Sequence, residues 1–192
     1  MIDPFGRRID YLRVSVTDRC NLRCVYCMPA EGLPLVSHDD ILRYEEIAEV
    51  VREAADLGVT KVRLTGGEPL TRRNIESLIV LLARIDGVRD LAMTTNGTLL
   101  APRAVTLKAA GLMRVNVSLD SVDPDRYAEI TRGRCAARDD GTEAPDAGAC
   151  SAAVRRSPGL KDVLAGIDAA LAAGLTPVKL NCVIERSVDE PD

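Results

Sequence analysis

Short segments typical of strands alternate along this chain with longer segments of helical periodicity. Five segments rich in Val, Ile, Leu and Thr favour strands, namely Leu12–Thr17, Lys61–Thr65, Asp90–Thr95, Arg114–Leu119 and Pro177–Ile184. Apolar residues at helical spacing predict helices between them, namely Tyr44–Leu57, Asn74–Ile85, Pro102–Ala110 and Leu160–Ala173. Asp123 followed by Pro124 predicts the start of a further short helix through Tyr127. Repeated strand–helix units require parallel strands joined by helical crossovers, so we expect an α/β fold.

Polar and apolar side chains alternate within the predicted strands. The polar residues that share one face are Arg13, Ser15 and Thr17 in the first strand, Lys61, Arg63 and Thr65 in the second, Asn116, Ser118 and Asp120 in the fourth, and Lys179 and Asn181 in the fifth. A sheet covered by helices on both faces is apolar on both. The alternation therefore predicts a curved sheet whose outer face packs on helices and whose inner face lines a wet, charged cavity. A sheet with one face open to solvent is the alternative, although βα crossovers normally cover a sheet.

Length and charge limit the classes of protein to which the chain can belong. Its 192 residues predict one domain, and its net charge of −4 argues against a general nucleic-acid binder. No apolar run approaches the roughly 18 residues that span a membrane. The first residues, MIDPFGRRID, lack the apolar centre of a signal peptide, so a cytoplasmic location is the simplest interpretation.

Residues 133–158 interrupt the strand–helix pattern. This stretch is rich in Gly, Ala, Asp and Arg and poor in large apolar residues, so it cannot bury enough surface to order itself well. We predict a disordered insertion at 133–158 within a single domain that covers residues 1–192.

Three cysteines, Cys20, Cys24 and Cys27, follow the first strand at CxxxCxxC spacing. Thiolates are soft ligands suited to iron–sulfur clusters or to zinc. A cubane cluster usually takes four thiolates, so three on one loop leave one iron open to another ligand. A structural zinc site needs a fourth Cys or His, and the only histidine, His38, has no partner at metal-site spacing. Zinc binding and inert thiols remain the alternatives.

With Tyr26 before its last cysteine, this motif resembles the signature of the radical S-adenosylmethionine superfamily. Thr65-Gly66-Gly67-Glu68-Pro69, one βα unit later, matches the superfamily's GGEP element. The resemblance implies a partial (β/α) barrel, truncated here after about five strands. It also implies one 4Fe–4S cluster on Cys20, Cys24 and Cys27, with S-adenosylmethionine bound to the fourth iron.

Several longer stretches resemble the GTP 3′,8-cyclase family of molybdenum cofactor biosynthesis. They are LRVSVTDRCNLRCVYCMP, KVRLTGGEPLTRR, MTTNGTLL, AGLMRVNVSLDS and VKLNCVI. The resemblance implies a lyase in which a 5′-deoxyadenosyl radical removes the 3′ hydrogen of GTP ribose, and that ribose carbon then bonds to guanine C8. GTP and an electron donor are the implied partners.

The same resemblance assigns individual residues to the site. The implied cofactor contacts are Tyr26, Gly66, Gly67, Glu68 and Ser118, and the implied GTP contacts are Arg13, Arg63, Thr94, Lys179 and Asn181. Three cations on one face suit a triphosphate, which needs charged donors. The alternative is that Arg13, Arg63 and Lys179 form structural ion pairs with Asp120 or Glu68.

The chain also departs from the cyclase family. That family carries a second cluster on three C-terminal cysteines, which this chain lacks, so we expect a homodimer or a separate C-terminal half as partner. Cys135 and Cys150 are predicted to be exposed thiols in the insertion, with metal binding or a disulfide as the alternative, and Cys182 is predicted to be a buried thiol on the outer face of the sheet. Two other functions stay open: a different radical enzyme, such as one that modifies peptides, and an inactive metal-binding interaction module.

Overall fold

A computed structural model describes residues 2–37, 40–132 and 159–184 of the chain. The strands are β1 (Tyr11–Ser15), β2 (Lys61–Thr65), β3 (Asp90–Thr95), β4 (Arg114–Ser118) and β5 (Lys179–Asn181). The α-helices are α1 (Tyr44–Asp56), α2 (Ile75–Ala83), α3 (Ala104–Ala110), α4 (Pro124–Thr131) and α5 (Leu160–Ala172). Single 3₁₀ turns at Pro69–Thr71 and Ala101–Arg103 precede α2 and α3. His38, Cys135, Cys150 and the predicted insertion at 133–158 lie outside the described residues.

All five strands are parallel, and their order in the sheet, β1-β2-β3-β4-β5, follows the order of the chain. Each strand is therefore bonded to its sequence neighbour, which is what repeated βα units winding in one direction produce. This arrangement confirms the α/β fold and is that of a partial barrel. Parallel strands also bring their C-terminal ends, and the loops that follow them, to the same edge of the sheet.

The hydrophobic core lies between the outer face of the sheet and the helices. Val62 and Leu64 of β2 and Val115 and Val117 of β4 are almost fully buried there. The helical side of the same core includes Leu78, Ile79 and Leu82 of α2, Leu107 of α3 and Val163 of α5. Burial of these side chains supplies the main driving force for the fold. Among the described residues, no helix is both long and apolar enough to cross a membrane.

The strand register confirms the predicted polar face. Arg13 of β1 lies opposite Arg63 of β2, and Asn116 of β4 lies opposite Lys179 of β5. Residues paired in a parallel ladder point to the same side of the sheet, so these four side chains share the inner face. That face carries arginine, lysine and amide groups, whereas the outer face carries the core.

The last strand differs from the prediction. It covers Lys179–Asn181 rather than Pro177–Ile184, because Pro177 has no N–H to donate and the partner strand β4 ends at Ser118. The prediction of a buried Cys182 was wrong, since its thiol is exposed. Leu180 on the same outer face is also 57% exposed, which shows that the helical layer does not cover this part of β5.

Candidate active site

The cysteine loop follows β1 at the C-terminal edge of the sheet and rests on α4. The N–H of Val25 donates to the carbonyl of Ile130 at 2.8 Å. The guanidinium of Arg132 donates to the carbonyls of Arg23 and Met28 at 3.0 and 2.6 Å. Helix α4 begins at an N-cap in which the Asp123 carboxylate accepts from the Arg126 N–H at 2.8 Å, as the Asp-Pro pair predicted. The C-terminal end of one short helix thus fixes the loop that carries the three cysteines.

The three thiols differ in exposure. Cys20 and Cys24 are partly buried and Cys27 is exposed. Burial raises the pKa of Cys20, and burial raises the pKa of Cys24 to about 11. Among the described residues, no three His, Cys, Asp or Glu side chains converge as ligands of a single metal ion. A four-iron cluster does not require its ligands to converge on one metal ion, because each thiolate binds a different iron atom.

The Gly66–Gly67 turn after β2 packs directly on the start of the cysteine loop. The N–H of Gly67 donates to the Thr17 carbonyl at 2.7 Å, and the N–H of Glu68 donates to the Arg19 carbonyl at 2.8 Å. A Cβ atom on Gly66 would clash with the Thr17 carbonyl, and one on Gly67 would clash with the Arg19 carbonyl. Gly66 also has a φ of +142°, which other residues rarely adopt. Only glycines allow this close approach of two loops.

Glu68 is fully buried and joins the turn after β2 to the end of β3. Its carboxylate accepts from the Leu70 N–H at 3.0 Å, the Thr95 hydroxyl at 2.8 Å and the Asn96 N–H at 2.6 Å. Burial raises the pKa of Glu68, while these three donors oppose the rise. The structure therefore gives Glu68 a positioning function, and the cofactor contact expected for it stays a prediction.

Tyr26 and Asp120 connect the cysteine loop to the end of β4. The Tyr26 hydroxyl donates to Asp120 Oδ2 at 2.7 Å, and the Val183 N–H donates to Asp120 Oδ1 at 2.9 Å. Burial and the bond to Asp120 raise the pKa of Tyr26. Ser118, the last residue of β4, is half-buried and lies opposite Asn181. The predicted residues Tyr26 and Ser118 therefore lie at the same end of the sheet as the cysteines.

The inner face of the sheet contains polar groups without partners. Arg63 Nε and Thr94 Oγ1 are buried and have no hydrogen-bond partner within the described part of the chain. The Arg63 guanidinium lies over the Tyr11 ring at 5.4 Å. Within the described ranges, no ion pair includes Arg13, Arg63 or Lys179, and the carboxylates of Asp120 and Glu68 bind other groups. A buried donor without a partner is costly unless a ligand satisfies it.

A cavity of about 700 Å³ has a different lining from these groups. It is lined by Val16, Thr17, Arg19, Ile41, Arg43, Tyr44, Glu45, Thr71, Arg72 and Arg73. None of the residues predicted for the site is among them. One of its arginines, Arg72, already has partners, since it donates to the carbonyls of Val16 and Leu42 and stacks on Tyr44. The candidate site is therefore the edge formed by the cysteine loop, the glycine turn and the inner face.

Comparison with known proteins identifies the family to which this site belongs. The family model of the Radical SAM superfamily matches residues 14–190. The chain belongs to the Radical SAM superfamily. The match covers the cysteine loop, the glycine turn, strands β2 to β5 and the last two residues of β1, whereas Arg13 lies just before it.

Two curated relatives are GTP 3′,8-cyclases. That of Moorella thermoacetica is 49% identical over 100% of this chain and 52% of its own length. That of Pelotomaculum thermopropionicum is 52% identical with the same coverage of both chains. The chain therefore spans about half the length of the curated relatives that it matches.

Solved structures show the same fold at lower identity. HydG, a maturase of the FeFe-hydrogenase, has a TM-score of 0.60 at 16% identity, over 88% of this chain and 34% of its own. The native form of anSMEcpe with bound AdoMet has a TM-score of 0.55 at 19% identity, over 90% of this chain and 42% of its own. At these identities, the similarity supports the partial-barrel fold alone.

Membership of the Radical SAM superfamily implies a 4Fe–4S cluster and S-adenosylmethionine as cofactors. The residues present fit this pair. Three thiols lie on one loop that α4 holds in place, and glycine backbone approaches that loop more closely than any other residue could. Arg63 Nε and Thr94 Oγ1 on the inner face have no hydrogen-bond partner among the described residues, so they are available to a second ligand.

Sequence reasoning missed part of the polar structure around the cysteines. Asn21, Asn96 and Thr98 form hydrogen bonds between the loop after β1 and the loop after β3. Asp120 was assigned to the polar face but not to the hydrogen bond with Tyr26. The Asn96-Gly97 pair directly after a strand signals a tight turn, but nothing local to it points to Asn21 and Cys20, which lie 75 and 76 residues earlier.

Proposed function

We propose that this chain is the radical S-adenosylmethionine part of a GTP 3′,8-cyclase. Cys20, Cys24 and Cys27 would hold a 4Fe–4S cluster, and the glycine turn with Tyr26 and Ser118 would hold S-adenosylmethionine. Arg13, Arg63, Thr94, Lys179 and Asn181 would bind GTP on the inner face. Relatives that carry this activity and are 49% and 52% identical over the whole chain support the proposal.

The observation that carries the GTP assignment is the pair of buried atoms without partners, Arg63 Nε and Thr94 Oγ1. Arg63 of β2 lies opposite Arg13 of β1 in the strand register. Asn116 of β4 lies between Thr94 of β3 and Lys179 of β5 and is opposite both of them. Cations gathered on one face without acidic partners are stabilised by an anion such as a triphosphate. A hydroxyl and an amide beside them can orient the sugar or base through hydrogen bonds.

For S-adenosylmethionine, the chain supplies backbone groups and one aromatic side chain. The turn at Gly66 and Gly67 is exposed to solvent beside the cysteine loop, so its main chain is accessible to a ligand. Tyr26, within that loop, is held by a hydrogen bond to Asp120. When bound, the cluster and S-adenosylmethionine would supply a 5′-deoxyadenosyl radical. The protein's contribution would be to place GTP beside it and to exclude water.

Other partners belong to the same proposal. An external electron donor would reduce the cluster. The relatives are about twice as long as this chain, and we propose that a second copy or the region equivalent to their other half completes the guanine end of the site.

Equilibrium binding of GTP to the anaerobically reconstituted chain tests the inner-face assignment. Arg63→Met keeps much of the side chain's volume and removes its charge, so GTP affinity should fall about ten- to a hundredfold. Arg84→Met, at the C-terminal end of α2, is the matched control and should leave GTP affinity unchanged. Equal affinity of Arg63→Met and the unmodified chain would contradict the GTP assignment.

A cleavage assay separates the cyclase from the other candidate functions. Iron content of about four per chain and formation of 5′-deoxyadenosine that GTP stimulates would support the cyclase. Cleavage that responds to a peptide and not to GTP would favour a peptide-modifying enzyme. Failure to take up iron would favour the inactive interaction module.

A further inference from the structure

One side chain of the cysteine loop and two from the loop after β3 form a closed ring of hydrogen bonds. Asn96 Nδ2 donates to Asn21 Oδ1 at 2.9 Å, and Asn21 Nδ2 donates to Thr98 Oγ1 at 2.9 Å. The Thr98 hydroxyl then donates to Asn96 Oδ1 at 2.7 Å, which closes the ring. The ring joins the loop after β1 to the loop after β3. Each member both donates and accepts, so the ring has one consistent direction.

The ring fixes the orientation of the Asn96 amide. Its oxygen accepts both the Thr98 hydroxyl and the Thr98 N–H, the latter at 3.1 Å, so the nitrogen must point the other way. The Asn96 N–H is bonded to the buried Glu68 carboxylate at 2.6 Å, which fixes the backbone of the same residue. Asn96 is therefore held at both its main chain and its side chain.

The amide nitrogen of Asn96 also lies beside a cysteine sulfur. Asn96 Nδ2 lies 3.9 Å from Cys20 Sγ, within hydrogen-bond reach of sulfur. The Leu22 N–H donates to the same sulfur at 3.4 Å. Cys20 Sγ thus receives one donor from its own loop and one from the loop after β3.

We propose that Asn96 is a positioning residue that acts through Cys20 to raise the reduction potential of the cluster. This inference rests on the proposed function, in which Cys20 binds the cluster. A donor to a ligand sulfur stabilises negative charge, and the reduced cluster carries one more electron than the oxidised one. The Asn96 amide therefore favours the reduced form, and hydrogen bonds to the sulfurs are among the factors that set such potentials. The electron itself comes from an added reductant.

Potentiometric titration of the reconstituted chain with dithionite, followed by electron paramagnetic resonance, tests this function. Asn96→Ser keeps an oxygen that can accept from the Thr98 N–H but is too short to reach Cys20. Asn96→Asp keeps the size and the oxygen that accepts from Thr98, but a carboxylate oxygen replaces the N–H donor. Both should lower the equilibrium constant for reduction about three- to tenfold, and a tenfold change in a one-electron couple equals about 59 mV.

Thr98→Val is the matched control, because it removes the hydroxyl from the ring while the Thr98 N–H still binds the Asn96 oxygen and the Asn96 donor remains in place. It should lower thermal stability but leave the potential close to that of the unmodified chain. Unshifted potentials in Asn96→Ser or Asn96→Asp at full iron content would overturn the proposal. So would loss of the cluster from both Asn96 variants while Thr98→Val retains it, since Asn96 would then build the loop rather than tune it. Absence of iron from the unmodified chain would instead refute the proposed function.

Discussion

Gly67 shows how closely the cofactor-binding elements of this chain are packed. Its missing Cβ would clash with the Arg19 carbonyl, one residue before Cys20. We expect Gly67→Ala to displace the cysteine loop, to lower the free energy of unfolding by about 1–3 kcal/mol, and to reduce iron incorporation. Urea denaturation of the unloaded chain and iron analysis after reconstitution measure the two effects.

Gly159→Ala is the control for this substitution. A Cβ on Gly159 meets no atom within 4 Å, and its φ of −102° suits any residue. We expect a stability change of at most about 0.5 kcal/mol and normal iron content. Similar iron contents in the Gly67→Ala and Gly159→Ala variants would show that the turn does not position the cysteines.

The buried hydroxyl of Tyr127 is a second residue-scale feature with a measurable consequence. Tyr127 is 4% exposed, and its hydroxyl has no hydrogen-bond partner within the described residues. Tyr127→Phe removes a buried hydroxyl that loses its hydration on folding and gains no hydrogen bond in return. The stability should therefore be unchanged or rise by up to about 1 kcal/mol. Tyr44→Phe removes a hydroxyl that donates to the Arg73 carbonyl at 2.6 Å and should cost about 1 kcal/mol. Thermal unfolding of both variants tests the contrast, which equal losses would contradict.

The direction in which a strand residue points was predictable, whereas the bonds between loops were not. Arg13 and Arg63 were placed on one face from the alternation alone, because side chains in a strand alternate with a period of two, and the register agrees. Asn96 was not predicted to approach Cys20, since that contact depends on how β1 and β3 are arranged in the sheet. Local patterns carry the first kind of information, and only the assembled fold carries the second.

At the scale of the elements, one ion pair joins α2 to the turn before α3. Arg103 donates to both oxygens of Glu76, at 2.9 and 2.7 Å, and to the Leu70 carbonyl at 2.6 Å. Both side chains are mostly shielded from solvent, with 23% and 28% exposure. The hydrogen bond to Arg103 holds the pKa of Glu76 below its ordinary value of 4.5.

This ion pair predicts a pH-dependent stability difference between the unmodified chain and Glu76→Gln. A lowered folded-state pKa means that the stabilisation is complete above the ordinary value and disappears as pH falls through the folded-state value. At pH 7, Glu76→Gln should be about 1 kcal/mol less stable, and the difference should shrink as the pH is lowered below about 4.5. Urea denaturation at a series of pH values measures it.

Glu49→Gln is the control for that titration. Glu49 pairs with Arg52 within α1, and both side chains are more than half exposed. Such a pair contributes little to stability at any pH, so the curves for Glu49→Gln and the unmodified chain should coincide. If the stability difference between Glu76→Gln and the unmodified chain did not change with pH, the shape of the Glu76 side chain rather than its charge would explain its contribution to stability.

The elements themselves were predicted best where their signals were local. The Asp123-Pro124 pair marked the start of α4, although the helix continues to Thr131 because Tyr127 and Thr131 pack inward. β2 and β3 were placed correctly at both ends. β5 was overestimated, because its length depends on where its partner β4 ends and on Pro177, not only on its own β-branched residues.

At the scale of the whole molecule, β5 forms one edge of the described sheet. It pairs with β4 alone, and its outer face carries Leu180, which is 57% exposed, with Ile184 nearby at 87%. An unpaired strand edge with apolar side chains favours association with another copy. We expect the 192-residue polypeptide to self-associate with increasing concentration. Sedimentation velocity over a range of concentrations measures this.

Substitution of Leu180 separates association through β5 from a general effect of exposed apolar surface. Leu180→Lys places a charge on the exposed outer face beside the edge and should shift the chain toward monomer, because pairing there would bury that charge. Val105→Lys adds the same charge to α3, where the valine is 72% exposed but the backbone is already bonded within the helix, and should change nothing. If both substitutions reduce association equally, the β5 edge is not the contact. If the unmodified chain stays monomeric at every concentration, the exposed strand needs no partner.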